Sequence, residues 1–519
     1  MDKFVSRYRS VITGVLSGFD RIVFHGILQY LIRQRGMYFF LHDSGIQLVD
    51  FKRYATATTE RVKRASLEEA ERLNRPVRYL TSSRASKEEL AREILAQSPV
   101  DEGLICVFTT LEPCRTFEYQ RSQDRSERGL KLYPGKCLHL YKYYIDPVFG
   151  FMSARLQTWF PFNIQICMNG REWLARQLIR SGRNDFKRVR NCFPWMGDFD
   201  LAQGLLNDQL KTDWPSALTR IARLLNPIHD EVFRSVPTNY YWSAFQTEWA
   251  TDVVFDSPKT LAGIYPDLVR FAMLQFKSPD VMRFLAEKNP GNFTGEIVTS
   301  FKHRAEGVRI KHWLGGNSIK MYDKAGSVLR VETTIAETED FKVLRPKTTG
   351  SQSELHWLPL RKGVADLYRR SQVSQRSNSV YLDALSAARD TTPCSKLFDA
   401  VSEPTVDSRG RRVRALRLND PDELALLETI SRGEFSTSGF RNRDIRQRLF
   451  PSTTPLTPAE ARRLSAKTGR LLRILRAHGL IYKIQHTTRY RLSAQGQLLT
   501  AALFATRNAD VQQLLKNAA

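Results

Sequence analysis

The chain lacks the features that mark membrane-spanning, secreted or nucleotide-hydrolysing proteins. No run of about 18 consecutive apolar residues occurs in its 519 residues, so we expect no membrane-spanning helix. The N-terminus, Met1-Asp2-Lys3-Phe4, has no apolar core of the kind found in secretory signals. No G-x-x-x-x-G-K-[ST] string is present, which argues against chemistry driven by ATP. We therefore expect a cytoplasmic protein without a membrane partner.

Cysteine is scarce and scattered. None of the six cysteines forms a C-x-x-C pair, and the nine histidines complete no zinc-binding spacing with them. Isolated cysteines in a long chain indicate reduced, mostly buried thiols and a cytosolic setting. The sequence therefore predicts no structural zinc site. The cysteines are Cys106, Cys114, Cys137, Cys167, Cys192 and Cys394.

Acidic residues are strongly outnumbered by basic ones. The chain has 79 Lys and Arg against 54 Asp and Glu, which gives a formal net charge of +25. Such an excess favours a polyanionic partner over the neutral surface of an ordinary metabolic enzyme. A hydrophobic content of 42% is high enough for folded cores. We expect a nucleic-acid partner, with DNA favoured over RNA, and the sequence leaves the oligomeric state undetermined.

The patterning predicts an α/β or α+β multidomain body with antiparallel strands, followed by a helical C-terminal domain. We expect a mixed α/β domain over residues 1–200 and a helical segment with an antiparallel meander over 201–395. The meander strands fall at about 308–335, with turns at Gly315-Gly316-Asn317 and Ala325-Gly326-Ser327. Residues 396–420 have the composition of a basic linker, and 421–519 form the last domain. Residues from Leu28 to Leu41 and from Phe51 to Leu73 are predicted to be helical.

The C-terminal region has clear helix boundaries. Asp422 to Ile430 and Asn442 to Leu449 have the pattern of short amphipathic helices. Thr457-Pro458-Ala459-Glu460 predicts the start of a third helix, because it combines a capping box with proline at the first helical position. Gly479 is placed to end that helix.

This third helix is amphipathic, with one apolar and one cationic face. Residues 421–519 contain 16 Lys and Arg against 7 Asp and Glu, so the whole region is basic. The apolar face can pack on the two preceding helices while the cationic face points to solvent. The apolar positions are Leu464, Thr468, Leu471 and Leu475, and the cationic positions are Arg463, Lys467, Arg470 and Arg473.

Two short strands with a basic turn follow, at 480–484 and 489–492. Helix, helix, cationic helix and cationic hairpin resemble the winged helix-turn-helix domains of bacterial transcription regulators. The resemblance implies that the third helix enters a DNA major groove and that the hairpin contacts the backbone or the minor groove. The alternative is a winged helix used for protein contacts. The implied nucleic-acid-binding residues are Arg463, Lys467, Arg470, Arg473, Lys483, His486, Arg489 and Arg491.

The meander carries a second motif. Lys320-x-Tyr322-Asp323-Lys324, followed by Arg330-x-Glu332, resembles a segment of the rolling-circle replication initiators of plasmids and filamentous phages. That resemblance implies a metal-dependent nickase, in which a tyrosine hydroxyl attacks a phosphodiester and Mg²⁺ or Mn²⁺ polarises the phosphoryl oxygens. No cofactor is certain from the sequence. The chain as a whole also resembles a family of long bacterial proteins, which implies no activity.

The nickase resemblance assigns its residues position by position. The catalytic candidates are Tyr322, Asp323, Lys324, Arg330, Glu332 and His139, with Glu332 and His139 as the metal ligands. The chain departs from the family in having no His-x-His pair, so His139 stands alone. A nucleophilic tyrosine on a helix would have to be Tyr240 or Tyr241.

Other polar residues allow two interpretations each. Glu248 and Asp252 are four residues apart and would share one face of a helix, where they either bind a metal or pair with nearby arginines. Lys142 and Arg155 lie on aromatic strands, which either stack unpaired bases while these cations hold phosphates or form a core.

Three functional hypotheses follow. The protein is a DNA-binding protein that acts in the replication or mobility of a genetic element, a metal-dependent DNA nickase, or an RNA-binding component of a ribonucleoprotein. Steep salt dependence favours the first, cleavage with Mn²⁺ favours the second, and a co-purifying RNA favours the third.

Overall fold

The computed structural model describes residues 1–33, 35–81, 86–120, 129–274, 276, 278–285, 297–304, 307–339, 341–346, 355–389, 394–431, 435, 439–451, 457–484 and 487–508. Within these ranges, every helix is too short or too polar to cross a bilayer.

The helices of the body and of the C-terminal region follow one another in this order: α1 (Asp2–Arg7), α2 (Gln29–Ile32), α3 (Gly36–Asp43), α4 (Phe51–Arg72), α5 (Lys87–Gln97), α6 (Gly170–Arg180), α7 (Phe199–Gln209), α8 (Trp214–Leu225), α9 (His229–Val232), α10 (Pro258–Leu274), α11 (Ser278–Phe284), α12 (Leu367–Leu385), α13 (Cys394–Ser402), α14 (Pro421–Ile430), α15 (Asn442–Leu449), α16 (Pro458–Ala477) and α17 (Ala494–Asn508).

The strands are β1 (Ile12–Ile27), β2 (Val77–Tyr79), β3 (Gly103–Gln120), β4 (Gly129–Asp146), β5 (Gly150–Gln157), β6 (Ile164–Asn169), β7 (Phe186–Val189), β8 (Cys192–Met196), β9 (Tyr241–Phe255), β10 (Ile297–Arg304), β11 (Gly307–Leu314), β12 (Asn317–Lys324), β13 (Val328–Ile335), β14 (Lys342–Pro346), β15 (Leu355–Pro359), β16 (Thr405–Val406), β17 (Arg412–Val413), β18 (Ile481–Lys483) and β19 (Tyr490–Leu492).

One large, mostly antiparallel sheet organises this mixed α/β protein. Its 11 strands run in the order β10-β11-β12-β13-β9-β1-β6-β5-β4-β3-β2. The pairing of β2 with β3 is parallel, and the other pairings are antiparallel. The predicted meander is confirmed as β11, β12 and β13. The sheet is continuous across residue 200, where the sequence predicts a domain boundary, because β1 pairs with β9.

Helices packed against the sheet form its cores. Buried apolar side chains beneath β1, β5 and β6 pack with those of α4, α6 and α8 in one cluster. A second cluster joins β9, β12 and β13 to α10 and α12. Trp249 and Phe19 belong to the first cluster and meet edge to face, with ring centres 4.9 Å apart. The helices therefore cover both faces of the sheet, because Asn378 of α12 contacts Thr251 and Arg171 of α6 contacts Asp252, and these two neighbours on β9 face opposite sides.

A backbone constraint divides the helix predicted from Leu28 to Leu41 into α2 and α3. Arg35 has a positive φ of 60°. A Cβ at Gly36 would lie 1.7 Å from the carbonyl oxygen of Tyr30. Glycine is therefore required at this close approach, and the chain turns there instead of continuing as one helix. The helix predicted from Phe51 is confirmed as α4.

The C-terminal region has its own core. Side chains of α14, α15, α16 and α17 enclose it, together with Val413 and Leu416 from the predicted linker. Residues 396–420 are therefore partly packed against the last domain. Phe440 forms an isolated bridge with Tyr490, beside the hairpin of β18 and β19. The helix and strand boundaries predicted for this region agree with α14, α15, α16 and the hairpin within two residues.

Asn378 is a polar anchor between α12 and the sheet. Its side-chain nitrogen donates hydrogen bonds to the carbonyl oxygens of Trp249 and Val331, both at 3.0 Å. Its side-chain oxygen accepts a hydrogen bond of 2.7 Å from Thr333. Asn378 is fully buried, so no water can replace these partners.

We expect Asn378→Ala to destabilise the protein by about 2 kcal/mol, because it leaves buried polar groups without partners. Chemical denaturation of the full chain measures the change. Gln372→Ala, at an exposed position of the same helix, serves as the control and should change stability by less than about 0.5 kcal/mol. Equal stability of the Asn378→Ala variant and the wild type would contradict the anchoring role.

Candidate functional site

The strand register brings charged side chains to one face of the sheet. Lys320 on β12 lies opposite Glu332 on β13, and Arg330 on β13 lies opposite Asp252 on β9. Residues four apart on a strand share a face, so Glu248 lies on the same side as Asp252. The neighbouring strand β1 then completes the set.

A bulge in β1 places Asp20 in this group. The register of β1 against β9 shifts between Phe19 and Arg21, so Asp20 is the extra residue. Asn191, from the turn between β7 and β8, donates hydrogen bonds of 2.8 and 2.9 Å to the two carboxylate oxygens of Asp20. The bulge and this hairpin together direct the Asp20 carboxylate towards Glu332.

Asp20, Glu248 and Glu332 form a carboxylate cluster. One oxygen from each lies within 4.8 Å of the other two, a spacing that a metal ion can bridge. Oxygen ligands of this kind suit Mg²⁺ or Mn²⁺. Glu332 is fully buried, whereas Glu248 is only half-buried. The cluster is therefore reached from solvent on its Glu248 side.

The three carboxyl groups differ in their tendency to hold a proton. Burial, together with the charge of Glu332, raises the pKa of Glu248 to about 7. Burial also raises the pKa of Asp20, although Arg330 opposes the shift. Burial acts in the same direction on Glu332, but Lys320 and Arg330 outweigh it and hold the pKa of Glu332 below its ordinary value. Glu332 therefore favours the charged form. Glu248 and Asp20 favour neutralisation, either by a proton or by a bound cation.

A buried ion pair supports the cluster from beneath. The Arg330 guanidinium contacts Asp252 at 2.5 and 2.8 Å and reaches Asp20 at 3.2 Å. Arg171, at the start of α6, approaches the same Asp252 carboxylate at 3.0 Å. Burial disfavours the Asp252 charge, but the two guanidinium groups outweigh it and lower its pKa. Asp252 is consequently a fixed anion that positions Arg330.

Cationic and aromatic side chains line the edge of the cluster on β11 and β12. The Lys320 ammonium lies 2.5 Å from a Glu332 oxygen, and its side chain remains 16% exposed. Lys311 lies opposite Lys320 on β11. The Lys311 ammonium is 4.5 Å from the centre of the Trp313 ring. An anionic ligand that approached the carboxylate cluster would meet these groups first.

The structure brings together three of the catalytic candidates: Tyr322, Arg330 and Glu332. The Tyr322 hydroxyl donates a hydrogen bond of 3.0 Å to Glu332. Burial raises the pKa of Tyr322 well above its ordinary value. The hydroxyl therefore fixes the carboxylate and is poorly placed to attack a phosphodiester itself.

The other two members of the motif lie on alternate faces of β12. The Lys324 ammonium is 5.7 Å from the centre of the Tyr322 ring, on the same face. Asp323 faces the opposite side because consecutive strand residues alternate, and burial raises its pKa. Asp323 therefore does not join the cluster.

The predicted pairing of His139 with Glu332 as metal ligands is wrong. His139 lies on β4 and Glu332 on β13, and four strands separate these two in the sheet. At about 4.8 Å per strand, the two residues are roughly 24 Å apart. One ion cannot bridge that distance.

The predicted helix around Glu248 and Asp252 is also wrong, because both residues lie on β9. Their even spacing puts them on one face in a strand as well, so the predicted juxtaposition survives the change of secondary structure. Neither tyrosine proposed as a helical nucleophile lies on a helix. Tyr241 begins β9, and the buried Tyr240 donates to the carbonyl oxygen of Phe162 at 2.9 Å.

No family model matches the chain, and neither a curated protein nor a solved structure does. Function must therefore be inferred from the geometry of the chain itself.

The cations predicted to bind nucleic acid lie partly at the C-terminal surface. Arg463, Arg470 and Arg473 on α16 are exposed, as is Lys483 on β18. Lys467 is half-buried, and its ammonium lies 2.6 Å from Asp422. The apolar positions Thr468, Leu471 and Leu475 are buried, and Leu464 is half-buried. This arrangement agrees with the predicted amphipathic helix.

The hairpin arginines differ from the prediction. Arg489 is buried, donates to the carbonyl oxygen of Gly439 at 3.0 Å and lies 5.0 Å from the centre of the Trp357 ring. Its guanidinium therefore faces inward instead of towards a nucleic acid. Arg491 is half-buried. His486 lies outside the described residues.

Lys142 and Arg155 are internal partners of acidic residues. Lys142 is 1% exposed and pairs with Glu69 at 2.5 Å. Arg155 pairs with Glu112 at 3.2 Å. The prediction that Lys142 holds a phosphate is wrong, because burial and the carboxylate partner withdraw its charge from solvent.

We expect Glu248→Gln to raise the thermal midpoint at pH 8 by about 2 °C in the presence of a chelator. The raised pKa of Glu248 means that its contribution to folding is fully present below its unfolded pKa and is lost as pH rises through about 7. The amide imitates the protonated form, so wild type and variant should converge as the pH falls to about 4, below the ordinary glutamate pKa of 4.5. Thermal scans at both pH values measure the difference. A variant less stable than wild type at pH 8 would contradict the raised pKa.

Proposed function

We propose that the protein binds nucleic acid, with DNA favoured over RNA, through a winged helix formed by residues 421–508. The observation that carries this proposal is the amphipathic helix α16. It buries Thr468, Leu471 and Leu475 while Arg470 and Arg473 are exposed, and the Arg473 guanidinium also lies 3.6 Å from Asp407. A cationic helix face of this kind suits the phosphates and base edges of a major groove.

The order of elements supports the same proposal. Helices α14, α15 and α16 precede the hairpin of β18 and β19, and the Phe440–Tyr490 bridge adds a strand position beside it. Thr457 caps α16 through a reciprocal capping box with Glu460. The proposed binding mode places α16 in the groove and the exposed Lys483 against the phosphate backbone.

The overall excess of basic residues adds a non-specific electrostatic contribution to the binding free energy, beside the contacts made by α16. Each phosphate neutralised by a lysine or arginine releases condensed counterions, so affinity falls steeply with salt. The net charge of +25 favours such non-specific attraction, while α16 supplies contacts to base edges. We place this binding in the replication or mobility of a genetic element, a proposal that rests on the Arg330-x-Glu332 motif.

Removing two cations from α16 tests the binding proposal. We expect Arg470→Ala with Arg473→Ala to weaken DNA binding at least about tenfold and to reduce the slope of log affinity against log salt by about 2. Fluorescence anisotropy with labelled duplex DNA at several salt concentrations measures both quantities.

The control removes the same charge elsewhere. Lys52→Ala with Arg64→Ala changes two exposed cations of α4 and should leave the affinity and the slope nearly unchanged. Equal losses in the two double variants would contradict a site on α16. A discrete RNA that co-purifies and outcompetes the duplex would move the proposal from DNA to RNA.

A second candidate function is supported by the carboxylate cluster. We propose that Asp20, Glu248 and Glu332 bind Mg²⁺ or Mn²⁺ and that the ion promotes cleavage of a phosphodiester by water. Lys320 is placed to neutralise charge on the phosphoryl oxygens. Tyr322 acts as a positioning residue, because its hydroxyl holds Glu332.

Conservative substitution tests the nuclease proposal. We expect purified protein with Mn²⁺ to nick supercoiled plasmid or cut single-stranded DNA, and Glu332→Gln or Glu248→Gln to reduce the rate at least about 100-fold. The amides keep the size of the side chain and one acceptor oxygen while removing the charge that holds the ion. Glu112→Gln, a carboxylate paired with Arg155 on distant strands, serves as the control.

The two proposals can fail separately. Full cleavage by Glu332→Gln would contradict the active site without affecting DNA binding. Cleavage lost in the Arg470/Arg473 double variant but restored at saturating DNA would assign those arginines to binding alone.

A further inference from the structure

The long hairpin of β3 and β4 brings two cysteines and a histidine together. Its register sets Glu112 opposite Cys137, Cys114 opposite Gly135 and Thr110 opposite His139. Cys137 and His139 are two apart on β4 and share a face, and Cys114 is the diagonal neighbour of Cys137 on β3. The two sulfur atoms are 3.3 Å apart, and one ligand atom from each of the three residues lies within 4.8 Å of the others.

The imidazole of His139 has one nitrogen without a partner. Its Nδ1 lies 3.2 Å from the carbonyl oxygen of Cys137. A hydrogen bond there makes Nδ1 the protonated nitrogen and leaves the lone pair on Nε2. Nε2 is buried and has no hydrogen-bond partner among the residues that the structure describes. A fully buried acceptor of this kind costs free energy unless a ligand satisfies it.

We propose that Cys114, Cys137 and His139 bind a zinc ion, with a fourth position open to water or another ligand. Two thiolates and one imidazole nitrogen form a donor set that zinc prefers over hard cations such as Mg²⁺. The Nδ1 contact with a backbone carbonyl is the outer interaction that usually orients a metal-binding histidine. Cys114 is only half-buried, which gives an ion a path from solvent.

Binding exchanges protons for the metal. Burial raises the pKa of the Cys137 thiol to about 12, so the thiol is protonated in the absence of a cation. Backbone groups of Thr158 and Trp159 hydrogen-bond with the Cys137 sulfur and favour its thiolate. Each thiol gives up one proton as its sulfur coordinates the ion, so two protons leave per zinc bound.

The proposed zinc site is distinct from the carboxylate cluster. It lies on β3 and β4, whereas the cluster lies on β1, β9 and β13, and at least β5 and β6 separate the two groups in the sheet. The ion would bridge β3 and β4 across their shared hairpin. The role we infer is to hold these two long strands together, independently of the proposed nucleic-acid chemistry.

Cobalt titration of the reduced, tag-free full chain tests the proposal directly. We expect one equivalent of Co²⁺ to produce thiolate-to-cobalt charge-transfer absorption with the visible bands of a tetrahedral ion, and Zn²⁺ to displace it. The double variant Cys114→Ser with Cys137→Ser should lose the charge-transfer band, and His139→Gln should bind at least about tenfold more weakly. Cys394→Ser, which removes an exposed cysteine, should behave as wild type.

Two results would overturn the proposal. The first is a reduced wild-type protein that shows no charge-transfer band, an outcome that does not depend on the folding of any variant. The second is an unchanged band in the Cys114/Cys137 double variant, which would place the ion elsewhere. A Cys114–Cys137 disulfide in the purified protein would have to be reduced first, and failure to bind cobalt after reduction counts as the first result.

Discussion

The buried ion pair between Arg330 and Asp252 is the interaction on which the centre of the sheet depends. Arg330 is fully buried and Asp252 is 1% exposed, so neither charge is stabilised by water. Removing one partner of such a pair costs about 3–5 kcal/mol, because the other charge is left uncompensated. The pair joins β13 to β9, and its contact with Asp20 extends to β1. The geometry of the carboxylate cluster follows from this fixed guanidinium.

Charge balance around Arg330 explains why the cluster can accept a cation. Four carboxyl groups meet here, those of Asp20, Glu248, Asp252 and Glu332, and the cations that act on them include the buried Arg171 and Arg330, Lys320, and Arg21 beside Glu248. Arg171 and Arg330 both form ion pairs with Asp252, so their charges are largely balanced by that carboxylate. The remaining carboxylates must therefore share a proton, as the raised pKa of Glu248 indicates, or bind a metal ion.

Local sequence patterns predicted the positions of individual helices and strands better than they predicted which side chains meet in the folded protein. A capping signal correctly predicted the start of α16, because Thr457 accepts a hydrogen bond from the third residue of the helix. Tyr322, Arg330 and Glu332 are grouped in the sequence by the resemblance to rolling-circle initiators, and they meet in the structure because β12 and β13, joined by a tight turn, pair with each other. Asp20 was not predicted, since a bulge breaks the alternation that assigns faces. The approach of Cys114 to Cys137 depends on the register of an 18-residue strand pair, which no spacing rule encodes.

The inward position of Arg489 bears on how the C-terminal region could act with the sheet. Its guanidinium packs on Trp357 of β15 and also donates to the carbonyl oxygen of Gly439, so the turn end of the hairpin is held against the body while the cationic face of α16 remains exposed. Arg376 on α12 experiences the charge of Arg491, which places β19 close to the helix that Asn378 anchors on β9 and β13. A nucleic acid bound by α16 would therefore meet a body of defined orientation, because a buried cation on the hairpin stabilises the contact between the two parts.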